Sequence, residues 1–272
     1  MLLYSGVLKK MQFSNQGTES LIKPNYFIQS TDLKLNVNGL VGKTIRIDYS
    51  GKIFCTSCGK NTKKSYGQGY CYPCFISVPQ TEECVLRPEL CRAHEGIARD
   101  MDFAKENCLT DQYVYLALSG GLKVGVTRYH QVPTRWIDQG ATKAVKLLIA
   151  KNRFTAGQIE VALKKILADK TNWRKMLKGN DEDLPLLEEK HKALDYLNQQ
   201  GFDYTNTEDT EFRVEYPVAS FPDKVVSKDL VKEPILTGKL MGIKGQYLLL
   251  DMGAVINIRK HTGFSVNINV ED

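Results

Sequence analysis

Seven cysteines carry the most specific chemical signal in this 272-residue chain. Cys55-Thr-Ser-Cys58 and Cys71-Tyr-Pro-Cys74 are two C-x2-C pairs with twelve residues between them. Two thiolates on one tight turn can meet a tetrahedral ion together, and a second such turn closes its coordination sphere. The pattern predicts a structural zinc site, because four sulfurs leave no open position for a reactive water. Cys84, Cys91 and Cys108 remain, and with His94 they make a candidate Cys3His site for a second Zn2+ that would use every cysteine in the protein. Cys91 and His94 stand three apart, one helical turn, and would share a face of a helix beginning near Arg87-Pro88-Glu89. The alternative is separate buried thiols beside a surface histidine.

A second set of residues suits phosphate chemistry. Tyr115 lies on an aromatic strand, Arg135 on a short helix after it, and Glu160 on a later helix. A phenol near a divalent ion can orient or deprotonate water, a guanidinium can stabilise charge gathering on a pentavalent phosphate, and a carboxylate can hold the cation that polarises it. That cation would be Mg2+ or Mn2+, with water and phosphate oxygens completing its shell. The alternative is that Tyr115 packs, Arg135 pairs with Asp138 or another acid, and Glu160 is a solvated helix residue.

The elements that must position these groups follow from hydrophobic period and turn residues. Residues 1–54 alternate apolar and polar positions in short runs punctuated by glycine, which predicts an N-terminal β segment. Residues 55–110 form the zinc-binding region. Tyr113-Val-Tyr115 and Leu122-Lys-Val-Gly-Val-Thr-Arg128 flank Gly120-Gly121 and read as a β-hairpin. Val132–Gly140 reads as a short helix, Ala144–Ala150 as a buried strand, and Thr155 opens the helix of Glu160 with Gln158 as its capping-box partner. The Ile159, Leu163, Ile166 and Leu167 stripe places Glu160 beside the core. This α/β module spans 111–178, and 179–211 is an acidic helical linker. Short even strands over 212–272 predict a small C-terminal β barrel. Such a barrel either binds single-stranded nucleic acid through Tyr247, Arg259, Lys260 and His261 or covers the module structurally.

Composition narrows the function classes. Hydrophobic content of 42% and charged content of 25% are those of an ordinary globular protein. No apolar run approaches the roughly 20 residues that cross a bilayer, and the basic residues of the start follow its apolar ones, opposite to a secretory signal. The expectation is a cytoplasmic protein. Net charge is +6, but Lys143–Lys178 holds ten Lys or Arg against Glu160 and Asp169, while Gly179–Glu211 holds ten Asp or Glu against Lys190 and Lys192. A local +8 around Glu160 suits a polyanion, DNA or RNA. Two solvated faces that partly pair with each other are the alternative.

The order hairpin, helix with Arg, strand, helix with Glu, together with Tyr113-Val-Tyr115 and Lys123-Val-Gly125, resembles the GIY-YIG nuclease module. The resemblance implies that Tyr115 takes the place of the first motif's tyrosine and Gly125 that of the final glycine. Lys123 stands where that family has its second tyrosine. Arg135 fits the arginine, with Arg128 competing for the role, and Glu160 fits the glutamate that holds one divalent metal. Nearly the whole chain resembles the bacterial domain-of-unknown-function 2797 family, through Cys71-Tyr-Pro-Cys-Phe75, Val124-Gly-Val-Thr-Arg128, Pro133-Thr-Arg-Trp-Ile-Asp-Gln-Gly-Ala141, Lys170-Thr-Asn-Trp-Arg174, Gly245-Gln-Tyr-Leu248 and Asn257-Ile-Arg-Lys260.

The fold expected is therefore α+β: an N-terminal β segment with a zinc-ribbon-like cluster, a central GIY-YIG-like module and a C-terminal barrel. The function expected is nucleic-acid binding, with divalent-metal-dependent phosphodiester cleavage as the catalytic version. A non-catalytic nucleic-acid or ribonucleoprotein binder and a zinc-stabilised interaction scaffold are the alternatives. Oligomeric state leaves no signature in the sequence.

Overall fold

Alternation builds the first sheet: in the strand Thr44–Phe54, Ile45 and Ile47 are buried while Arg46 between them is half-exposed. The computed structural model describes residues 1–30, 33–167 and 172–271. The chain forms two units, one of Met1–Thr18, Ile22–Ile76 and Glu215–Asp272, the other of Glu19–Leu21 and Ser77–Val214. In the first unit Thr44–Phe54 lies between Phe264–Glu271 and Ile235–Lys244, both antiparallel to it. The sheet continues outward to Leu2–Val7 on one side and to Tyr247–Leu250, Ala254–Asn257 and Val226–Ser227 on the other.

This arrangement differs from a self-contained C-terminal barrel. The C-terminal strands pair with N-terminal ones, and the sheet runs from edge to edge without closing. Thr44–Phe54 is long and two-faced, so it offers both edges to partners from the far end of the chain. Of the residues nominated there for nucleic acid, Arg259 and Lys260 make exposed side-chain contacts and His261 is buried. Arg259 Nε donates to Gln68 Oε1 at 2.6 Å, Lys260 Nζ to Asp229 Oδ2 at 2.8 Å, and His261 is 1% exposed. Gln246 is also buried, and its amide exchanges hydrogen bonds of 2.8 and 3.0 Å with the backbone of Met11.

The second unit is built on the hairpin. Gln112–Leu118 pairs antiparallel with Leu122–Arg128 on one side and with Lys143–Ala150 on the other. Gly120 and Gly121 make the turn at φ +71° and +139°, a conformation other residues rarely adopt. The period of two sorts the strand residues. Val114, Leu116 and Leu118 pack with Ile159 and Leu163 of the helix Arg153–Leu163 and with Leu186, Ala193 and Leu197 of the helix Leu186–Gln199. Tyr115 and Ala117 face the other way, toward Trp136, Ala144 and Phe212.

The order hairpin, helix with Arg135 (Thr134–Asp138), strand, helix with Glu160 is therefore present as expected. The helix start differs. The Asn152 side chain caps it, accepting from Thr155 N–H at 2.8 Å, in place of a Thr155–Gln158 box. The acidic and basic segments do pair in part: Lys143 meets Asp183 and, at 3.5 Å, Glu211, while Lys175 meets Glu182 at 3.3 Å. Among the described residues no helix is long and apolar enough to cross a membrane.

Candidate functional site

Cys55 ends the strand Thr44–Phe54, where the chain turns back on itself: Gly59 N–H donates to Cys55 O at 2.9 Å and Cys55 N–H to Lys60 O at 2.9 Å. Gly69, at φ +123°, brings the second knuckle close enough that a Cβ there would lie 2.8 Å from Thr56 Cγ2. Cys71 and Cys74 then sit at the start of the helix Tyr72–Ser77. The four sulfurs lie within 4.8 Å of one another, Cys58 and Cys71 at 3.8 Å. Burial pushes the Cys55 thiol up, but the backbone N–H groups of Cys58, Cys71 and Ser57, with the Cys58 side chain, outweigh it and bring it down to about 6. An N–H cradle around a sulfur stabilises thiolate, the form that binds metal, so this group could hold zinc.

The second group contains three cysteines. Cys84, Cys91 and Cys108, all buried, have sulfurs within 4.8 Å of one another. Cys108 and Cys84 donate to Cys91 and hold its thiol well below the ordinary range, while sharing a proton with Cys108 and Cys91 pushes Cys84 up. This group too could hold zinc. His94 is not in it: the ring stacks on Phe154, centroids 4.3 Å apart, with Nε2 at 3.7 Å from Glu95 Oε1. The physical reason is local. No α-helix begins at Arg87; two 3-10 turns, Pro88–Leu90 and Ala93–Glu95, flank Cys91, whose backbone is extended, so Cys91 and His94 do not share a helical face.

Lys123, Gln139 and Arg135 gather round Tyr115, which is 1% exposed. Its hydroxyl donates to Gln139 Oε1 at 2.9 Å, and Lys123 Nζ donates to the same oxygen at 2.6 Å. Tyr115 and Lys123 meet there because 115, 123 and 125 fall on one face of the hairpin. Burial pushes the phenol up, and Arg135 counters this by charge and hydrogen bonding while Glu160 adds to it. Arg135 Nε is buried and has no hydrogen-bond partner among the described residues. Glu160 is 8% exposed, with Lys164 Nζ 3.5 Å from its Oε2. It stands on the helix that covers the opposite face of the sheet, and its charge still reaches the phenol. Arg128 lies near both centres. Burial pushes it down, as do the charges of Arg153 and Arg135, and it stands over the Phe103 ring at 5.9 Å.

With this geometry in view, the chain matches the model of the protein of unknown function family DUF2797 over residues 42–266. The chain belongs to the DUF2797 family. No curated protein and no solved structure matches it.

Several motifs of this DUF2797 protein now have structural places. Val124–Arg128 is the second hairpin strand, and Pro133–Ala141 carries both Arg135 and Gln139. Lys170 and Thr171, with Asp169 of the basic run, lie outside the described residues. Two residues of the site were not singled out by sequence reasoning. Gln139 stands four residues after Arg135 at the end of its helix, a spacing that places the two side chains on one face. Arg153 is 6% exposed and donates to Cys84 O at 2.8 Å and Val85 O at 2.9 Å. Nothing in the local pattern marks it, because its partners lie nearly seventy positions away.

Proposed function

We propose that this DUF2797 protein works in the cytoplasm on nucleic acid, and that the centre around Tyr115 engages a phosphodiester, with Mg2+- or Mn2+-dependent cleavage as its chemistry. The observation that carries this reading is the convergence on one phenol of Lys123, Gln139, Arg135 and the charge of Glu160, with Arg135 Nε left as a buried, unpartnered donor. A guanidinium N–H without a partner beside an ammonium is suited to a non-bridging phosphate oxygen. Lys123 and Arg128 add positive charge, and the neutral phenol can donate to a leaving or attacking oxygen. Glu160 is the carboxylate that would hold the divalent ion. Bound there, the ion would polarise the phosphate. The likeness of the hairpin–helix–strand–helix order to the GIY-YIG module supports the same assignment.

Cleavage of labelled single-stranded, duplex and branched DNA and RNA with and without Mn2+ tests it. Glu160→Gln and Arg135→Ala should each lower the rate about 100-fold or more. Wild type and Glu160→Gln equally inert on every substrate would defeat the enzymatic reading.

One observation favours a second reading, a binder that does not cut. Glu160 is buried and paired with Lys164, an arrangement that also suits a purely structural carboxylate. Salt-dependent affinity that survives Glu160→Gln and falls with Arg135→Ala would identify it.

A further inference from the structure

Around one zinc ion with Zn–S near 2.3 Å, tetrahedral geometry sets sulfurs about 3.8 Å apart. Cys84, Cys91 and Cys108, within 4.8 Å of one another, are thus spaced for three corners of such a tetrahedron. What takes the fourth corner is decided by the surrounding fold. His94, the nearest candidate in sequence, is committed to the face of Phe154. The same three cysteines line a cavity of about 180 Å3, with the apolar Leu90, Ala93 and Ile97 and the charged Glu82, Glu83 and Arg92 also in its wall. That is room for several waters or a small organic molecule.

Charge decides what kind of donor fits. Zn2+ with three thiolates carries −1. Arg153, buried and fixed by Cys84 O and Val85 O, acts by its charge on Cys91 and Cys108, and Arg128 acts by its charge on Cys108 and Cys84, so the negative charge of the three thiolates is offset by the fold. The fourth donor therefore need not be anionic: water or a neutral nitrogen ligand leaves no uncompensated negative charge in a poorly solvated place. The Cys55–Cys74 group differs in this respect, because its four sulfurs close the sphere.

We propose that Cys84, Cys91 and Cys108 hold one zinc ion whose fourth position opens on this cavity, is taken by water, and exchanges for a small neutral nitrogen or oxygen donor. Binding the ion releases the thiol protons to solvent and leaves Arg153 and Arg128 as the counter-charges. The site is thereby a ligand-accepting metal centre in the second unit, independent of the chemistry at Tyr115.

Cobalt substitution of the full-length protein, followed by imidazole titration of the visible d–d bands, tests the proposal. Two cobalt ions per chain are expected, and imidazole should change the bands of one of them, since a closed four-sulfur site has no position to exchange. His94→Ala should keep both ions and the full imidazole response. Cys91→Ser should lose one ion and the response together. An imidazole titration that leaves the spectrum unchanged would overturn the proposal, as would one ion per chain in the wild type or loss of an ion in His94→Ala. If Cys91→Ser does not fold, zinc X-ray absorption of the wild type decides: a first shell of sulfur with a light atom and no outer-shell imidazole pattern supports the open position. The imidazole pattern overturns it.

Discussion

Tyr115 lies directly across the strand pair from Gly125, so close that a Cβ on Gly125 would stand 2.6 Å from the Tyr115 hydroxyl oxygen and 2.7 Å from Cζ. The glycine is what allows the phenol to lie flat over the neighbouring strand and reach Gln139. A buried ring wedged between Trp136 and the sheet has little room to retreat.

Gly125→Ala should therefore expel the ring and cost about 1–3 kcal/mol. Differential scanning calorimetry against wild type checks the loss, and the proposed cleavage or binding activity should fall with it. A variant as stable as wild type would mean that the ring can yield.

Gly157→Ala reverses a propensity rule. In an exposed helix alanine gains about 1 kcal/mol over glycine. Here the helix Arg153–Leu163 packs so tightly on the turn Pro88–Leu90 that a Cβ would lie 2.1 Å from Glu89 N and 2.4 Å from Pro88 C. Backbone cannot step aside as a side chain can, so the variant should be destabilised by at least about 2 kcal/mol. A fall in Tm of about 4–8 °C is the expected reading.

Arg153→Met removes the guanidinium that the carbonyls of Cys84 and Val85 share. Leaving two buried acceptors unpaired should cost about 3 kcal/mol. Zinc retained after dialysis against a chelator should fall at the three-cysteine group and not at the four-cysteine group. Arg153→Lys, which keeps the charge and loses the fork, should lie between.

His261 makes the first unit sensitive to acid. Its Nε2 accepts from Leu230 N–H at 3.2 Å while Nδ1–H donates to Asn257 O at 2.8 Å, an arrangement that requires the neutral ring. Burial depresses its pKa below the ordinary 6.5, against the pull of the Asn257 carbonyl and Asp229. The unfolded chain then takes up the proton first. The stabilisation is complete above pH 6.5 and is lost as pH falls through the lower folded value. Thermal melts from about pH 7.5 to pH 5.5 should show this decline in wild type and a shallower one in His261→Gln.

The four-cysteine group was legible because thiol spacing on two tight turns is a local property: Cys55, Cys58, Cys71 and Cys74 need only their own loops to meet. The hairpin, the strand Lys143–Ala150 and the helix of Glu160 were legible for a related reason, since alternation and helical period record which side faces a core. Three matters depended on distant contacts. The C-terminal strands read as a self-contained barrel, yet they pair with Thr44–Phe54, because edge pairing between segments nearly two hundred residues apart leaves no local mark. His94 has the spacing of a ligand, but extended backbone at Cys91 and the Phe154 ring turn it elsewhere. Gln139 and Arg153 became parts of the two centres only through packing. The sequence by itself determined which donor atoms exist and which small loops and faces they occupy. The tertiary structure decided which donors meet, because burial and hydrogen-bond satisfaction are settled among elements that the chain brings together only when it folds.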